Sequence, residues 1–244
     1  MRIPTALLRK THRVFGVVIG VQLLLWTISG AFFAWADIDD VRGEPNRMPP
    51  DGFAVTGEWI PPTRVDFGAV TGFDTDDLAG LGLVHIGEAT YYRFVDGNGM
   101  VLLADVLSGS IRAALDENEA IALARASFVH PVPVRSTRRI TDQDVGPHHE
   151  YRGGMLPAWV IQFEHPSGTR VYVSENGGQV TRHRNTLWRA FDFLWMLHTM
   201  DYRGRDDFNH SLLRIVSVLA VVLAISGYLL WGRTSVMLRR RRSP

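Results

Sequence analysis

The chain has 244 residues, 46% of them hydrophobic and 21% charged, with no cysteine and a formal net charge of +1. This aromatic and aliphatic content excludes a disordered chain, and the lack of cysteine excludes a disulfide framework, a thiolate nucleophile and a cysteine metal site. The near-zero net charge hides a partition: residues 37–210 hold 16 basic and 25 acidic side chains, whereas both ends are basic and free of acid.

In chain order, residues 1–13 form a basic tail with Arg2, Arg9, Lys10 and Arg13. Residues 14–36 follow as 23 uncharged positions. As a helix this run is roughly 34 Å long, enough for a hydrocarbon core of about 30 Å, and it has no polar face for water. The Ala34-Trp35-Ala36 pattern suggests a cleaved signal peptide as a rival, but the apolar stretch is longer than such peptides carry. Gly16 and Gly20 stand at small-xxx-small spacing, which permits close helix packing. Gln22 is expected to bond a neighbouring helix.

Residues 37–62 contain five prolines and look like an irregular linker. A first small unit, residues 63–115, is expected to hold a helix over 62–73 and then strands over 81–111. Tyr91 to Val95 alternates and runs into Asp96-Gly97-Asn98-Gly99, a hairpin turn, with a return strand over 100–106. A second unit, residues 116–185, opens with Asp116 and Glu119 at capping-box spacing. Its helix ends before Pro131, and strands follow over 158–164, 169–174 and 179–184. The order suggests a tandem repeat of an α+β unit.

Residues 186–210 contain an amphipathic helix, over 187–202, and a loop. Leu187, Phe191, Leu194, Trp195 and His198 share one helical face. The second span covers residues 211–232, with an uncharged core over 215–232, and residues 233–244 form a second basic tail. Both spans carry an Ile-Ser-Gly triplet, at Ser29-Gly30 and Ser226-Gly227. Trp35, Trp188 and Trp195 are expected near one membrane surface and Trp231 near the other. Basic flanks stay in the cytoplasm, so both termini are expected there and the middle region outside. Arg239 to Arg242 sit beside a span, which favours contact with anionic membrane lipid over nucleic acid.

Of the nine histidines, His12, His198 and His210 lie at span borders. Such residues either ligate iron, as neutral imidazoles do, or bond headgroups and cap helix ends. A pair of axial ligands needs two rings at one depth. His198 and His210 meet that condition within one chain, whereas His12 needs a second copy. His148-His149-Glu150 reads as a solvated loop, and Arg135, Arg138 and Arg139 as a charged sheet face. His85, His130, His165 and His183 read as surface or core residues. The chain has no Gly-x-Ser-x-Gly, His-Glu-x-x-His, P-loop or dinucleotide fingerprint. No catalytic residue and no separate metal site are assigned, and enzymatic activity is left open.

The second unit resembles a PepSY domain, with its capped helix and strands ending in Tyr172-Val173-Ser174 and Gly177-Gly178-Gln179-Val180. The flanks resemble PepSY-associated transmembrane proteins. Lys10-Thr11-His12-Arg13-Val14-Phe15-Gly16 is close to that family's Leu-His-Arg-x-x-Gly entry into the first span, with Thr11 where leucine is usual. The segment from Trp188 to His198, then Asn209-His210 and a span containing Ser226-Gly227, is similar to the family's end. The resemblance covers most of the chain, least well over residues 40–75.

It implies a membrane α+β protein of the bacterial inner membrane. Two transmembrane helices would flank a periplasmic α+β region of tandem PepSY-like units, each a helix plus antiparallel sheet. Better-known relatives have four spans and sit in iron-uptake systems, some reducing chelated iron through haem held by span histidines. The resemblance therefore implies haem b, with His12, His198 and His210 as candidate ligands. It also implies a homodimer or a partner membrane protein, and electron transfer to a ferric chelate. The alternative is a non-enzymatic, membrane-anchored module that binds or regulates a peptidase or envelope protein.

Overall fold

A computed structural model describes residues 5–49, 52, 57–68 and 70–235. Arg2 and Arg239 to Arg242 lie outside the described residues. The elements in chain order are α1 (Thr5–Trp35), α2 (Ile38–Arg42), β1 (Leu78–Ile86), β2 (Ala89–Asp96), β3 (Val101–Asp105), α3 (Glu117–Ala126), β4 (Val134–Ile140), β5 (Ala158–Phe163), β6 (Arg170–Ser174), β7 (Gln179–Arg184), α4 (Thr186–Thr199) and α5 (Ser211–Thr234). They fall into two compact units. One comprises residues to Asp37 together with those from Ala190, the other Ile38–Arg189.

The first unit is built on an antiparallel pair, α1 and α5. At 1.5 Å per residue they are roughly 46 Å and 36 Å long. His12 bonds Ser226, and a Cβ on Gly16 would stand 3.9 Å from Leu223. Gln22, Leu23 and Trp26 line one small gap with Val216, Ser217 and Ala220. Of the two glycines at small-xxx-small spacing, only Gly16 faces a neighbour, since a Cβ on Gly20 would meet nothing within 4 Å. Val14, Val17, Val18, Val21 and Leu24 are exposed on α1, as are Ile215, Val218, Val221, Ile225 and Leu229 on α5. A face this apolar is built for lipid, and each helix satisfies its own backbone there. Both helices are membrane spans.

The α1–α5 register brings Ser29 level with His210, where α5 begins. From Gln22 onward α4 and the turn after it also pack on α1. Phe191, Trp195 and His198 face α1, with ring centroids 4.8, 5.8 and 5.4 Å from Phe33. Gln22 Nε2 donates to the Leu197 carbonyl at 3.1 Å, so the expected interhelical bond caps the end of α4. The helix expected over 187–202 stops at Thr199 because Met200 turns to φ +59°. In the following loop Asp201 accepts backbone N–H groups from Arg203, Gly204 and Asp207. Those donors, Gly204 foremost, hold its carboxyl down to about 2. An ion pair between buried Asp192 and Arg205 ties the loop to α4.

The second unit contains two antiparallel meanders, β1-β2-β3 and β4-β5-β6-β7. The hairpin at Asp96 forms as expected, with Asp96 accepting from the backbone of Asn98 and Met100. Asp116 caps α3 in a complete capping box with Glu119. The main core joins Val84, Ile86 and Leu103 of the first sheet to Ala120 and Ala124 of α3. Ile161, Phe163, Val171 and Val173 of the second sheet complete it. Gly178, at φ +63°, lets the β6–β7 turn enter this core, because a Cβ there would come within 2.8 Å of Ile86 and Leu103. His183 is buried on the same sheet face as Val171. Burial first, then the charge of Arg47, holds it down to about 4, so it is a neutral core residue.

Two sequence expectations need correction here. The described residues of the segment 62–73 do not form a helix. Pro62–Arg64 make one 3-10 turn, Asp66 closes a local turn by accepting from the Gly68 N–H, and Phe67 stacks on Phe73. Two prolines at the start and an Asp-x-Gly turn outcompete helical spacing, so the sheet of the first unit is covered by an irregular segment in place of a helix. The charged sheet face expected at Arg135, Arg138 and Arg139 is present as a strand of its own, β4, hydrogen-bonded to β5.

His148-His149-Glu150 is a loop with His148 exposed, as expected, but Glu150 is not solvated. Glu150 is a largely enclosed hub beneath the far face of the second sheet. It accepts from Arg189 Nε at 2.5 Å, Tyr172 Oη at 2.6 Å and Arg170 Nη1 at 3.0 Å. Burial alone would raise its carboxyl, but the bonds from Arg189 and Tyr172 and the Arg189 charge outweigh it, and the net shift is downward.

Candidate functional site

The three border histidines all fall in the membrane unit, and they are used in two different ways. His210 is the N-cap of α5. Its Nδ1 accepts from the Leu213 N–H at 3.4 Å, and its Nε2 donates to the Thr199 carbonyl at 3.0 Å. Both ring nitrogens are committed to backbone groups, so the ring closes the turn between α4 and α5. This is the capping role open to a border histidine. The structure gives His198 and His210 different partners and forms no pair of ligands from them.

His12 and His198 instead sit in matching sockets. His12 comes from α1 and meets the Ile-Ser-Gly triplet of α5. Its Nδ1 lies 2.7 Å from Ser226 Oγ, and a Cβ on Gly227 would stand 3.2 Å from its Cε1. His198 comes from α4 and meets the Ile-Ser-Gly triplet of α1. Its Nδ1 lies 2.8 Å from Ser29 Oγ, and a Cβ on Gly30 would stand 3.6 Å from its Cε1. The only side-chain hydrogen-bond partners of the two rings among the described residues are these serines, and the His198 ring also donates to the backbone carbonyl of Trp26. Around His198 the walls are aromatic, with Trp26 at 5.2 Å and Phe33 at 5.4 Å between centroids.

The sockets lie at opposite ends of the helical pair. His12 and Ser29 are 17 positions apart on α1, roughly 26 Å along its axis. Ser29 and Ser226 are the members of this site that histidine counting leaves out. Their signal in the sequence is the repeated triplet, whose small residues look like packing spots until a ring is placed on them.

A neutral imidazole with one nitrogen free is the kind of donor that ligates haem iron. Nδ1 of each ring is tied to a serine, and the His198 socket adds the aromatic walls of Trp26 and Phe33. Among the described residues, no group of three or more His, Asp or Glu converges as a metal site. One chain supplies one such ring at each end.

A family model described as PepSY-associated TM region matches residues 3–233. Neither a curated protein nor a solved structure matches the chain. The two spans, the sheet domain between them and the match over nearly the whole length agree: the chain belongs to the PepSY-associated TM family, as a membrane protein carrying a PepSY module.

Proposed function

We propose that the protein is a haem b electron carrier of a bacterial inner membrane. Both termini lie in the cytoplasm, the sheet domain lies in the periplasm, and the acceptor is a periplasmic ferric chelate. The observation that supports this reading is the placement of His12 and His198. They occupy opposite ends of one helical pair, each with Nδ1 tied to a serine. Haem supplies a reversible one-electron couple that amino-acid side chains lack. Two copies of the chain would bring two His12 rings together at the cytoplasmic end and two His198 rings at the periplasmic end. Trp26 and Phe33 would keep water from the outer site, and the spans would insulate the path. The basic residues Arg9, Lys10 and Arg13 at the start of α1, and Arg233 at the end of α5, support the orientation.

The test is the visible spectrum of the full chain purified after haem-replete expression. A Soret band that sharpens and shifts on dithionite reduction is expected. A chain that purifies intact without Soret absorbance overturns the reading.

A second reading, a binding or regulatory module anchored by the spans, is favoured by one observation. An open groove of about 510 Å³ lies beside the start of β4, lined by Arg125 and the segment from Phe128 to Pro133. If cellular function survives with both His12 and His198 replaced, this second reading takes precedence.

A further inference from the structure

The serine of each socket has a single proton, and the geometry shows where it goes. Ser29 Oγ lies 2.8 Å from the Leu25 carbonyl and 3.0 Å from the Trp26 carbonyl, one turn back on its own helix. Ser226 Oγ lies 2.8 Å from the Leu223 carbonyl. A carbonyl oxygen only accepts, so each hydroxyl must donate to it. The hydroxyl then has only lone pairs to offer the imidazole. Nδ1 of His12 and of His198 must therefore carry the proton, and Nε2 must hold the free electron pair. His210 is the contrast within the same unit: its Nδ1 accepts and its Nε2 donates, so it is the opposite tautomer.

We infer that Ser29 and Ser226 are positioning residues that lock His198 and His12 in the Nδ1–H form, so that each ring presents an Nε2 lone pair to a Lewis acid. The Ile-Ser-Gly triplet is the unit that does this. Serine sets the proton, and the following glycine gives the ring its space. The two triplets differ in clearance. Gly227 is the tighter, since a Cβ at 3.2 Å from the ring demands movement of His12, whereas 3.6 Å at Gly30 is ordinary contact. Rings held by a second hydrogen bond keep one orientation and become stronger ligands. The consequence for haem rests on the electron-transfer reading, whereas the placement of the proton does not.

The test needs no haem. Imidazole ¹⁵N spectra of the full chain in detergent, recorded at about pH 8 so that ordinary histidines are neutral, report which nitrogen of each ring is protonated. Resonances are assigned by single histidine replacement. His12 and His198 are expected as Nδ1–H and His210 as Nε2–H. Ser29→Ala should convert the His198 signal to a mixture and leave His12 unchanged, and Ser226→Ala should do the reverse. Ser→Thr at either site, which keeps the hydroxyl, should restore the single form. Gly227→Ala should disturb His12 more than Gly30→Ala disturbs His198. The inference is overturned by an Nε2–H signal from either socket ring in the unaltered chain, or by alanine variants that keep the wild-type tautomer. Nδ1–H signals in a chain that binds no haem would sink the electron-transfer reading and leave this one standing. In haem-loaded protein, a shift of the midpoint potential in Ser29→Ala, reversed in Ser29→Thr, is the matching readout.

Discussion

Replacing His198 with alanine is expected to remove about half of the haem bound by the full chain, replacing His12 the other half, and replacing both nearly all of it. The reason is positional. The two rings occupy sockets at opposite ends of α1, so neither can substitute for the other. His210→Ala is the control. It removes an N-cap, costing about 1 kcal/mol of stability, and its haem content should match that of the unaltered chain. Pyridine haemochrome assays on the four proteins decide the matter. Loss of haem from His210→Ala together with retention in His198→Ala would reverse the assignment of ligands.

The largest stability effect is expected at Glu150. Its side chain is only 9% exposed while it receives Arg170, Arg189 and the Tyr172 hydroxyl. Glu150→Gln keeps the shape and removes the charge, leaving two guanidinium groups without their carboxylate. Losing charge-assisted hydrogen bonds around a largely enclosed carboxylate, with Arg170 and Arg189 partly open to solvent, costs about 2 kcal/mol. Arg189 lies in the first turn of α4, where it also donates to the Gly168 and Arg184 carbonyls. The loss should therefore loosen the end of β7 and the start of α4 together. Denaturant unfolding of the full chain in detergent, followed through the sheet signal in circular dichroism, measures it. A loss below about 1 kcal/mol would mean that solvent screens the hub as it screens a surface pair.

The spans, the hairpin at Asp96, the capping box at Asp116 and the strands β5, β6 and β7 are legible in the sequence because each rests on a local rule. Apolar length, Asp-Gly turns, cap spacing and alternation all act over a few residues. The elements that escape such reading depend on distant partners. β4 carries Arg135, Arg138 and Arg139, and it is a strand because β5 pairs with it, not because its own pattern alternates. The segment 62–73 has apolar residues for a core, and Val65, Phe67 and Phe73 do enter one with Tyr92 and Phe94, but as an irregular strap set by its prolines. Glu150 lies in a polar run that looks solvated until Arg170, Arg189 and Tyr172, far along the chain, converge on it. The histidines follow the same logic. Their border positions can be read directly. That His210 is a cap, while His12 and His198 enter serine–glycine sockets, depends on which helix stands opposite, a matter of tertiary packing.

One measurement bears most directly on the claim that each end of the helical pair supplies one half of a haem site. Native mass spectrometry of the haem-replete protein, released from detergent, is predicted to show two chains carrying two haems, and His198→Ala two chains carrying one. A single chain that retains haem, or a stable pair of chains that carries none, would contradict the account.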